Sequence, residues 1–235
     1  MIFKTGGDER LGLEIDNLWR IEIFGHEFWI TETIVNTWFI MLFLIIVAII
    51  ARIKLRKFKE VPSGFQNAIE AVIEIFENFV KSTVGERLSY IAPWFFMVFM
   101  LLLWSALFSI FGLRPPTADW ATTFAMAFVS LVIMLFMGFK HRKGEYLKEF
   151  FEPHFIFFPM NLIGELAKPV SLSFRLFGNM LSGTIIITLY YALTPMLVQF
   201  GIPSILHAFF DVIIGALQTY IFVILSLMYV KTAAE

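Results

Sequence analysis

The sequence contains no cysteine and few charged residues. None of its 235 residues is Cys, so disulfide bonds and thiolate metal sites are excluded. Only 16% of the residues are charged, whereas 59% are hydrophobic and 29 are phenylalanine, and the mean hydropathy is +0.79. A soluble domain usually has about 25% charged residues. The composition therefore predicts an all-α membrane protein, and the apolar runs are continuous rather than alternating as in a transmembrane β-barrel.

The N-terminal part lacks the basic stretch and apolar core of a cleaved signal peptide. We expect residues 1–32 to form an outer, polar segment with aromatic residues at the membrane interface. Residues 33–51 are uncharged and have about the length that spans the hydrocarbon core. The Lys- and Arg-rich sequence ARIKLRKFK follows. The positive-inside rule places this end in the cytoplasm and the N-terminus outside.

Residues 61–86 show a different pattern. Apolar residues recur every three or four positions after Pro62, and Glu70, Glu74 and Glu77 fall between them. This pattern predicts an amphipathic helix on the cytoplasmic surface of the membrane. A helix that packs one face against a neighbouring helix would show the same periodicity.

Four further membrane-embedded helices bring the expected number to about five. The basic sequence KHRK, residues 140–143, lies on the same side as the earlier basic cluster in this topology. Residues 145–159 are expected to form a cytoplasmic connection, and the C-terminus is expected in the cytoplasm. The last two helices are too long for a perpendicular crossing, which predicts a long, strongly tilted hairpin. The four helices are expected at residues 88–113, 120–139, 160–193 and 204–230.

A single arginine, Arg175, stands at the start of a stretch, residues 176–210, that has no Asp, Glu, Lys or Arg. A guanidinium remains charged at any ordinary pH, and placing it there costs several kcal/mol unless another group compensates it. On a helical projection, four polar residues fall within about 40° of Arg175. The pattern predicts a polar stripe that faces an anionic group, as in an ion path. The four are Lys168, Ser171, Asn179 and Ser182.

The last helix carries His207, Asp211 and Gln218 on one face. An antiparallel hairpin that turns near residue 199 would place Gln218 close to Arg175 and Asn179, with Asp211 nearer the turn. Other interpretations exist for the polar side chains of this helix. Asp211 and Gln218 could join helices by hydrogen bonds, and His207 with Asp211 could supply two metal ligands, although no third is nearby.

Arg175 also has a structural interpretation, in which Glu165 or Asp211 pairs with it as a lock. A chain built in this way would be a membrane anchor or scaffold rather than an ion carrier. A membrane enzyme is not supported, because no nucleophile–base pair, phosphate-binding loop or metal motif is present. No metal and no nucleic acid are therefore expected.

The stretch KPVSLSFRLFGNMLSG, residues 168–183, resembles the signature of subunit a of the F-type ATP synthases. Other segments resemble the same family in the same order, so that the resemblance covers nearly the whole chain. It implies a multi-pass membrane subunit with no cofactor and no catalytic site of its own, in a bacterial plasma membrane by default. The further segments are GHEFWITETIVNTW, VPSGFQNAIEAVIE, NLIGELAKP and LQTYIFVILSLMYV.

The resemblance also implies partners and a mechanism. The partners are a rotating c-ring of small subunits, peripheral-stalk b subunits and membrane lipids. Two offset half-channels lead from opposite sides of the membrane to the ring carboxylates, and Arg175 separates them. A ring carboxylate is neutral when it faces lipid and ionises beside Arg175, because a cation within about 4–6 Å lowers a carboxylate pKa by roughly 1–3 units. Both proton and sodium versions of the family have this pattern.

Individual residues match the family motif with two departures. Arg175 matches the family arginine, Asn179 the asparagine of RLFGN, and Gln218 the glutamine of the last helix. Glu165 matches a carboxylate of the lead-in helix, and Ser182 and His207 are expected along the same path. Many members have Glu where this chain has Thr184, and some have His where it has Asp211. We therefore hypothesise that Asp211 replaces the missing relay carboxylate of the outer half-channel.

Overall fold

A computed structural model of the chain describes residues 17–23, 26–55, 64–111, 113–152, 154–194 and 201–235. Five of the helices in this part are long and apolar enough to span a membrane, which confirms the predicted helical membrane fold. The helices are α1 (Glu32–Leu55), α2 (Phe65–Val84), α3 (Ala92–Ser109), α4 (Trp120–Arg142), α5 (Gly144–Phe151), α6 (Phe158–Leu193), α7 (Ile202–His207) and α8 (Gly215–Ala234).

A short antiparallel hairpin precedes α1, with strands β1 (Asn17–Ile23) and β2 (His26–Thr31). The start of α1 is joined to the loop before α4 through Thr33, whose hydroxyl donates a hydrogen bond to Asp119 Oδ2 at 3.2 Å. The other oxygen of Asp119 accepts from the backbone N–H of Ala121 and so caps α4. The carboxylate of Asp119 thus links the start of α1 to the start of α4.

The core lies between α4, α6 and α8, with α2 and α3 packed against α8. Phe95 of α3 and Phe222 of α8 are completely buried there. Gly215 allows α8 to approach α3 closely, because a Cβ atom at this position would lie 2.6 Å from the Cβ of Ala106. Small residues permit this kind of close helix contact in membranes.

The C-terminal helix, residues 202–234, is continuous and consists of α7, a π-helical segment (Ala208–Ile214) and α8. It runs back along α6, and a Cβ at Gly183 of α6 would lie 3.3 Å from the Cβ of Phe210. The 36 residues of α6 extend about 54 Å. Because the hydrocarbon core is only about 30 Å thick, α6 must tilt or project from it.

Helix α2 has two apolar surfaces. Phe76, Val80 and Val84 are buried against the core, as expected for a helix that packs on a neighbour. Val72 and Ile75 are exposed, which is the arrangement of a helix that also contacts lipid. The packing interpretation of the periodicity describes the buried face of α2, and the position of its other face on the membrane surface stays a prediction.

The segment expected to be a simple connection, residues 145–159, contains α5 and a 3₁₀ turn (Phe155–Phe157). Asn161 of α6 caps the end of α5, since its Nδ2 lies 3.0–3.3 Å from the carbonyl oxygens of Glu149, Phe150 and Glu152. Helix α3 is likewise preceded by a 3₁₀ turn (Glu86–Ile91), whose last four residues fall in the range expected for the helix, 88–113.

Some sequence-based expectations fall on residues outside the described part of the chain. They are the first half of the N-terminal segment, residues 1–16, and the basic residues at positions 56–59. The helix start at Pro62 and the turn near residue 199 are also outside it.

Candidate functional site

Arg175 lies on the face of α6 that points away from the core of the chain. Its neighbours Leu172 and Leu176 are buried, whereas Arg175 is exposed. Within the described part of the chain, Arg175 forms no ion pair and no hydrogen bond. Ser171 and Ser182 share its exposed face. The predicted polar stripe is therefore present, and the guanidinium is available to a group outside this chain.

The carboxylates considered as locks for Arg175 have other partners. Glu165 Oε1 lies 2.5 Å from Lys168 Nζ, and Asp211 Oδ2 lies 2.7 Å from His207 Nδ1. Neither carboxylate interacts with Arg175. The structure therefore contradicts the interpretation in which Glu165 or Asp211 pairs with Arg175 as a structural lock.

Asn179 and Gln218 meet across the hairpin, as the sequence spacing predicted. Asn179 Nδ2 donates a hydrogen bond of 2.6 Å to Gln218 Oε1. Gln218 is only 2% exposed, and its Nε2 is buried without a hydrogen-bond partner among the described residues. This pair fixes the register between α6 and the C-terminal helix one helical turn away from Arg175. Gln218 thus joins two helices by a hydrogen bond, which was the alternative interpretation of this residue in the sequence.

Two hydroxyl groups on α6 bond to the backbone of their own helix. Ser182 Oγ donates to the carbonyl of Gly178 at 2.7 Å, and Thr184 Oγ1 donates to the carbonyl of Met180 at 3.0 Å. Thr184 is a neutral hydroxyl, so it cannot supply the charge of the carboxylate that many relatives are expected to have there.

A cleft of about 850 Å³ opens at the end of the bundle where α5, the start of α6 and the end of α8 meet. Glu165 and Lys168 line it, and Glu165 Oε2 is buried without a hydrogen-bond partner among the described residues. Pro169, next in the chain, has no N–H, so the backbone carbonyl of Glu165 also lacks its helical donor. Glu165 thus places one carboxylate oxygen, Oε2, without a hydrogen-bond donor from the described residues at the wall of this cleft.

Tyr146 of α5 also lines this cleft, and sequence reasoning did not identify it. Its side chain is 4% exposed, and its hydroxyl has no hydrogen-bond partner among the described residues. Burial, and then the negative charges of Glu165 and Glu149, raise the pKa of Tyr146 to about 12. The four-residue spacing of Tyr146 and Phe150 after Gly144 was the available signal for α5.

His207 and Asp211 lie near the opposite end of α6, at the turn side of the hairpin. Asp211 is 8% exposed and belongs to the π-helical segment, a geometry that is frequent at functional sites. In the described residues, no group of three His, Cys, Asp or Glu side chains is close enough to hold a metal ion.

Comparison with known proteins identifies the family. Residues 34–231 match the family model described as ATP synthase A chain. The subunit a of Trichlorobacter lovleyi is 33% identical over 209 residues, which cover 87% of each chain. That of Geobacter sulfurreducens is 34% identical over 212 residues, 87% of this chain and 88% of the relative. A sodium ion specific subunit a from Propionigenium modestum is 32% identical over 219 residues, 86% of this chain and 73% of the relative. The chain therefore belongs to the ATP synthase A chain family, whose members are membrane-sector subunits of the F-type ATP synthase.

Proposed function

We propose that this chain is the stator subunit that carries ions to and from the c-ring of an F-type ATP synthase through two offset half-channels, with Arg175 between them. The observation that carries this proposal is the exposed guanidinium of Arg175, which has no partner in the described part of the chain. An unpaired cation facing hydrocarbon costs several kcal/mol. A carboxylate on a neighbouring ring subunit would remove that cost.

The chemistry follows from the environment of the ring carboxylate. Facing lipid, the carboxylate is neutral because desolvation raises its pKa. Beside Arg175 it ionises and releases its ion, and it must bind another before it returns to lipid. Arg175 also repels a cation that would pass directly from one half-channel to the other. Each charge that crosses contributes about 2.3 kcal/mol per 100 mV, which ring rotation converts to torque.

Two polar sites on opposite sides of Arg175 support separate access routes. The cleft at Glu165 lies ten residues before Arg175, which is about 15 Å along α6. Asp211 lies on the other side, seven residues or about 10 Å from Gln218 in the direction of the turn. We place the mouth of one half-channel at the cleft and that of the other near Asp211.

Asp211 is the relay carboxylate of the second route in this proposal. Its buried carboxylate on the C-terminal helix substitutes for the acidic group that Thr184 does not supply. The Asn179–Gln218 pair and Ser182 line the path near Arg175, where amide and hydroxyl groups can hydrogen-bond to water.

The orientation follows from the flanking charges. The cleft end of the bundle carries the basic residues 140–143, which favours the cytoplasm. The chain would then have its N-terminus outside and its C-terminus inside a bacterial plasma membrane, in contact with lipids, the c-ring and peripheral-stalk b subunits. Sodium is the alternative coupling ion, because one relative is sodium ion specific.

The test replaces Arg175 in the whole ATP synthase reconstituted into vesicles. Arg175→Lys keeps the charge but loses the planar, delocalised guanidinium, and we expect an assembled complex without ATP-driven ion uptake. Arg87→Lys is the matched control, since Arg87 is also exposed and lies away from the stripe. Near-normal uptake by Arg175→Lys would instead support a scaffold role. So would a loss of assembly in which the fraction of complexes that still assembles takes up ions normally.

A further inference from the structure

We infer that α5 and the 3₁₀ turn after it (Phe155–Phe157) form an interfacial anchor. The anchor places apolar side chains among the lipid tails and binds the phosphates of anionic phospholipids through Lys143 and Lys148. It lies on the side of α5 opposite the cleft, and so it holds this wall of the cleft at the membrane surface. The inference requires a membrane-spanning chain but does not depend on the proposed ion transport.

The anchor exposes a large apolar surface. Phe155 is 75% exposed and Ile156 is 80% exposed, and Leu147 and Phe151 of α5 are also exposed. The rings of Phe151 and Phe155 stack with their centroids 5.5 Å apart, and Phe151 stacks on Phe158 at 4.8 Å. Contact of such a surface with water is unfavourable, so we expect another apolar surface to cover it.

Tyr146 fixes the rotation of α5 about its own axis. Its ring packs edge-on against that of Phe139, with 5.3 Å between the centroids. It also lies so close to Gly138 that a Cβ atom there would be 2.9 Å from the ring. On a helical projection, Leu147 and Phe151 lie about 100° and 140° from Tyr146. The exposed apolar residues of α5 therefore point away from the bundle in a defined direction.

The charges of α5 are separated around the helix. Lys148 lies about 60° from Phe151 on the helical projection, whereas Glu145 and Glu149 lie about 120° and 160° from it. Glu149 and Glu152 line the cleft. The lysine thus borders the apolar side, and the carboxylates lie toward the cleft. Basic residues beside an apolar face are typical of helices that lie on anionic membranes.

The two lysines are free to bind an anion. Arg142, the nearest arginine, forms an ion pair with Glu149, with 2.6 Å between Nη1 and Oε2. Lys143 and Lys148 are exposed and form no ion pair with any described residue. Their ammonium groups can therefore donate hydrogen bonds to phosphate oxygens. A zwitterionic headgroup suits them less, because its own ammonium group would lie near theirs.

The position of α5 in the chain favours the bilayer as the covering surface. It connects α4 and α6, which are both long and apolar enough to span the membrane, so it stays at the membrane surface. Helix α6 has no charged residue before Glu165. Its exposed residues Met160 and Leu162 extend the apolar surface beyond the turn. A partner subunit could cover the same surface, and the test below distinguishes the two.

The test uses the absence of cysteine from the chain, because Phe155→Cys then gives this chain a single labelling site. The full-length chain and the whole ATP synthase are placed in lipid nanodiscs, and the reaction of this thiol with a charged, water-soluble maleimide is timed. We expect it to react at least about tenfold more slowly than the thiol of Glu145→Cys, because the reagent does not enter lipid and a thiol in apolar surroundings forms little thiolate.

The lipid headgroup is tested by adding phosphatidylglycerol to nanodiscs of phosphatidylcholine. The reaction of Phe155→Cys should become slower still. Adding Lys148→Gln should then raise the rate about fivefold, the contribution of one basic residue near an anionic surface, and should have little effect in phosphatidylcholine alone. Arg142→Gln is the matched control. It removes the same charge where Glu149 already neutralises it, so we expect a change below about twofold.

Three results would overturn the inference. Equal rates for Phe155→Cys and Glu145→Cys would show that the turn lies in water. Rapid reaction in the isolated chain with protection only in the whole ATP synthase would assign the surface to a partner subunit. Equal effects of Lys148→Gln and Arg142→Gln, or no effect of phosphatidylglycerol, would remove the binding of lipid phosphate. Should Phe155→Cys fail to fold, Ile156→Cys replaces it with the same expectations, since Ile156 is equally exposed.

Discussion

At the scale of single residues, Tyr146 and Glu165 both line the cleft, and each has a buried oxygen without a hydrogen-bond partner among the described residues. These oxygens are the hydroxyl of Tyr146 and Oε2 of Glu165. Protein interiors leave few polar atoms unsatisfied, and such atoms are often connected to function. The two also interact electrostatically, because the charge of Glu165 helps to raise the pKa of Tyr146. Tyr146 is therefore held neutral, so the negative charge at this end of the bundle comes from carboxylates rather than from the phenol.

The raised pKa of Tyr146, about 12 against an ordinary value of 10.0, predicts a loss of stability in alkaline solution. Between these values the unfolded chain releases the phenolic proton and the folded chain retains it, so stability falls as pH rises. We expect Tyr146→Phe to reduce this loss, with little change near pH 7, measured as the thermal unfolding midpoint near pH 7 and near pH 11. Tyr220→Phe, which removes an exposed phenol, is the control. Equal alkaline losses in the Tyr146→Phe variant and the unsubstituted protein would contradict the prediction.

At the scale of helices, the contact between α3 and α8 depends on Gly215. A side chain at this position would overlap Ala106, since the two Cβ atoms would be 2.6 Å apart. By contrast, a Cβ at Gly164 of α6 would meet no atom within 4 Å. Two glycines in long membrane helices thus have different consequences for packing.

We predict that Gly215→Ala lowers the free energy of unfolding by about 1–3 kcal/mol, because α3 and α8 must separate. Gly164→Ala should be neutral or stabilise by up to about 1 kcal/mol, because Ala favours the helix. Thermal unfolding of the detergent-solubilised protein compares the two. Adding Ala106→Gly to Gly215→Ala should recover most of the loss, since it removes the opposing methyl group. Failure of this second substitution to restore stability would assign the loss to another cause.

The sequence predicted the long helices and one interhelical contact, but not the short or irregular elements. Uncharged runs define α1 and α4 directly, and residue counting along a hairpin brought Asn179 to Gln218. Helix α5 was missed because its eight residues are stabilised by contacts from distant positions, among them the cap from Asn161. The π-helical register around Asp211 has no marker in the local sequence, whereas the four-residue spacing of His207 and Asp211 had already placed these two side chains on one face.

At the scale of the whole molecule, α1 is the least enclosed of the membrane helices. Only 11% of its apolar window is buried, compared with 39% for α4. Ile46 and Ile53 are both exposed on one face of this helix. This helix therefore depends on lipid, or on other subunits, for most of its apolar contacts.

We predict that Ile46→Arg reduces insertion of the chain into the membrane, because Arg at the centre of a spanning helix costs about 2.5–3.5 kcal/mol. Ile53→Arg introduces the same charge on the same face but beside Arg52 and Lys54 at the helix end, where the side chain can reach the interface. The fraction of chain that resists alkaline extraction from membranes measures the difference. Equal extraction of both variants would mean that Ile46 does not lie at the centre of the membrane.

The Asn179–Gln218 hydrogen bond has a consequence for what the exposed stripe presents to a passing acid. Because Asn179 Nδ2 is directed at buried Gln218, its Oδ1 is left on the exposed side, one turn from the guanidinium of Arg175. A protonated carboxyl group can both donate and accept, so it matches a surface with an acceptor beside a donor. An ionised one can only accept, and it is drawn to the guanidinium alone. In the proposed function, this stretch of α6 would offer an acceptor and a donor to a protonated ring carboxyl group, and only the guanidinium to an ionised one.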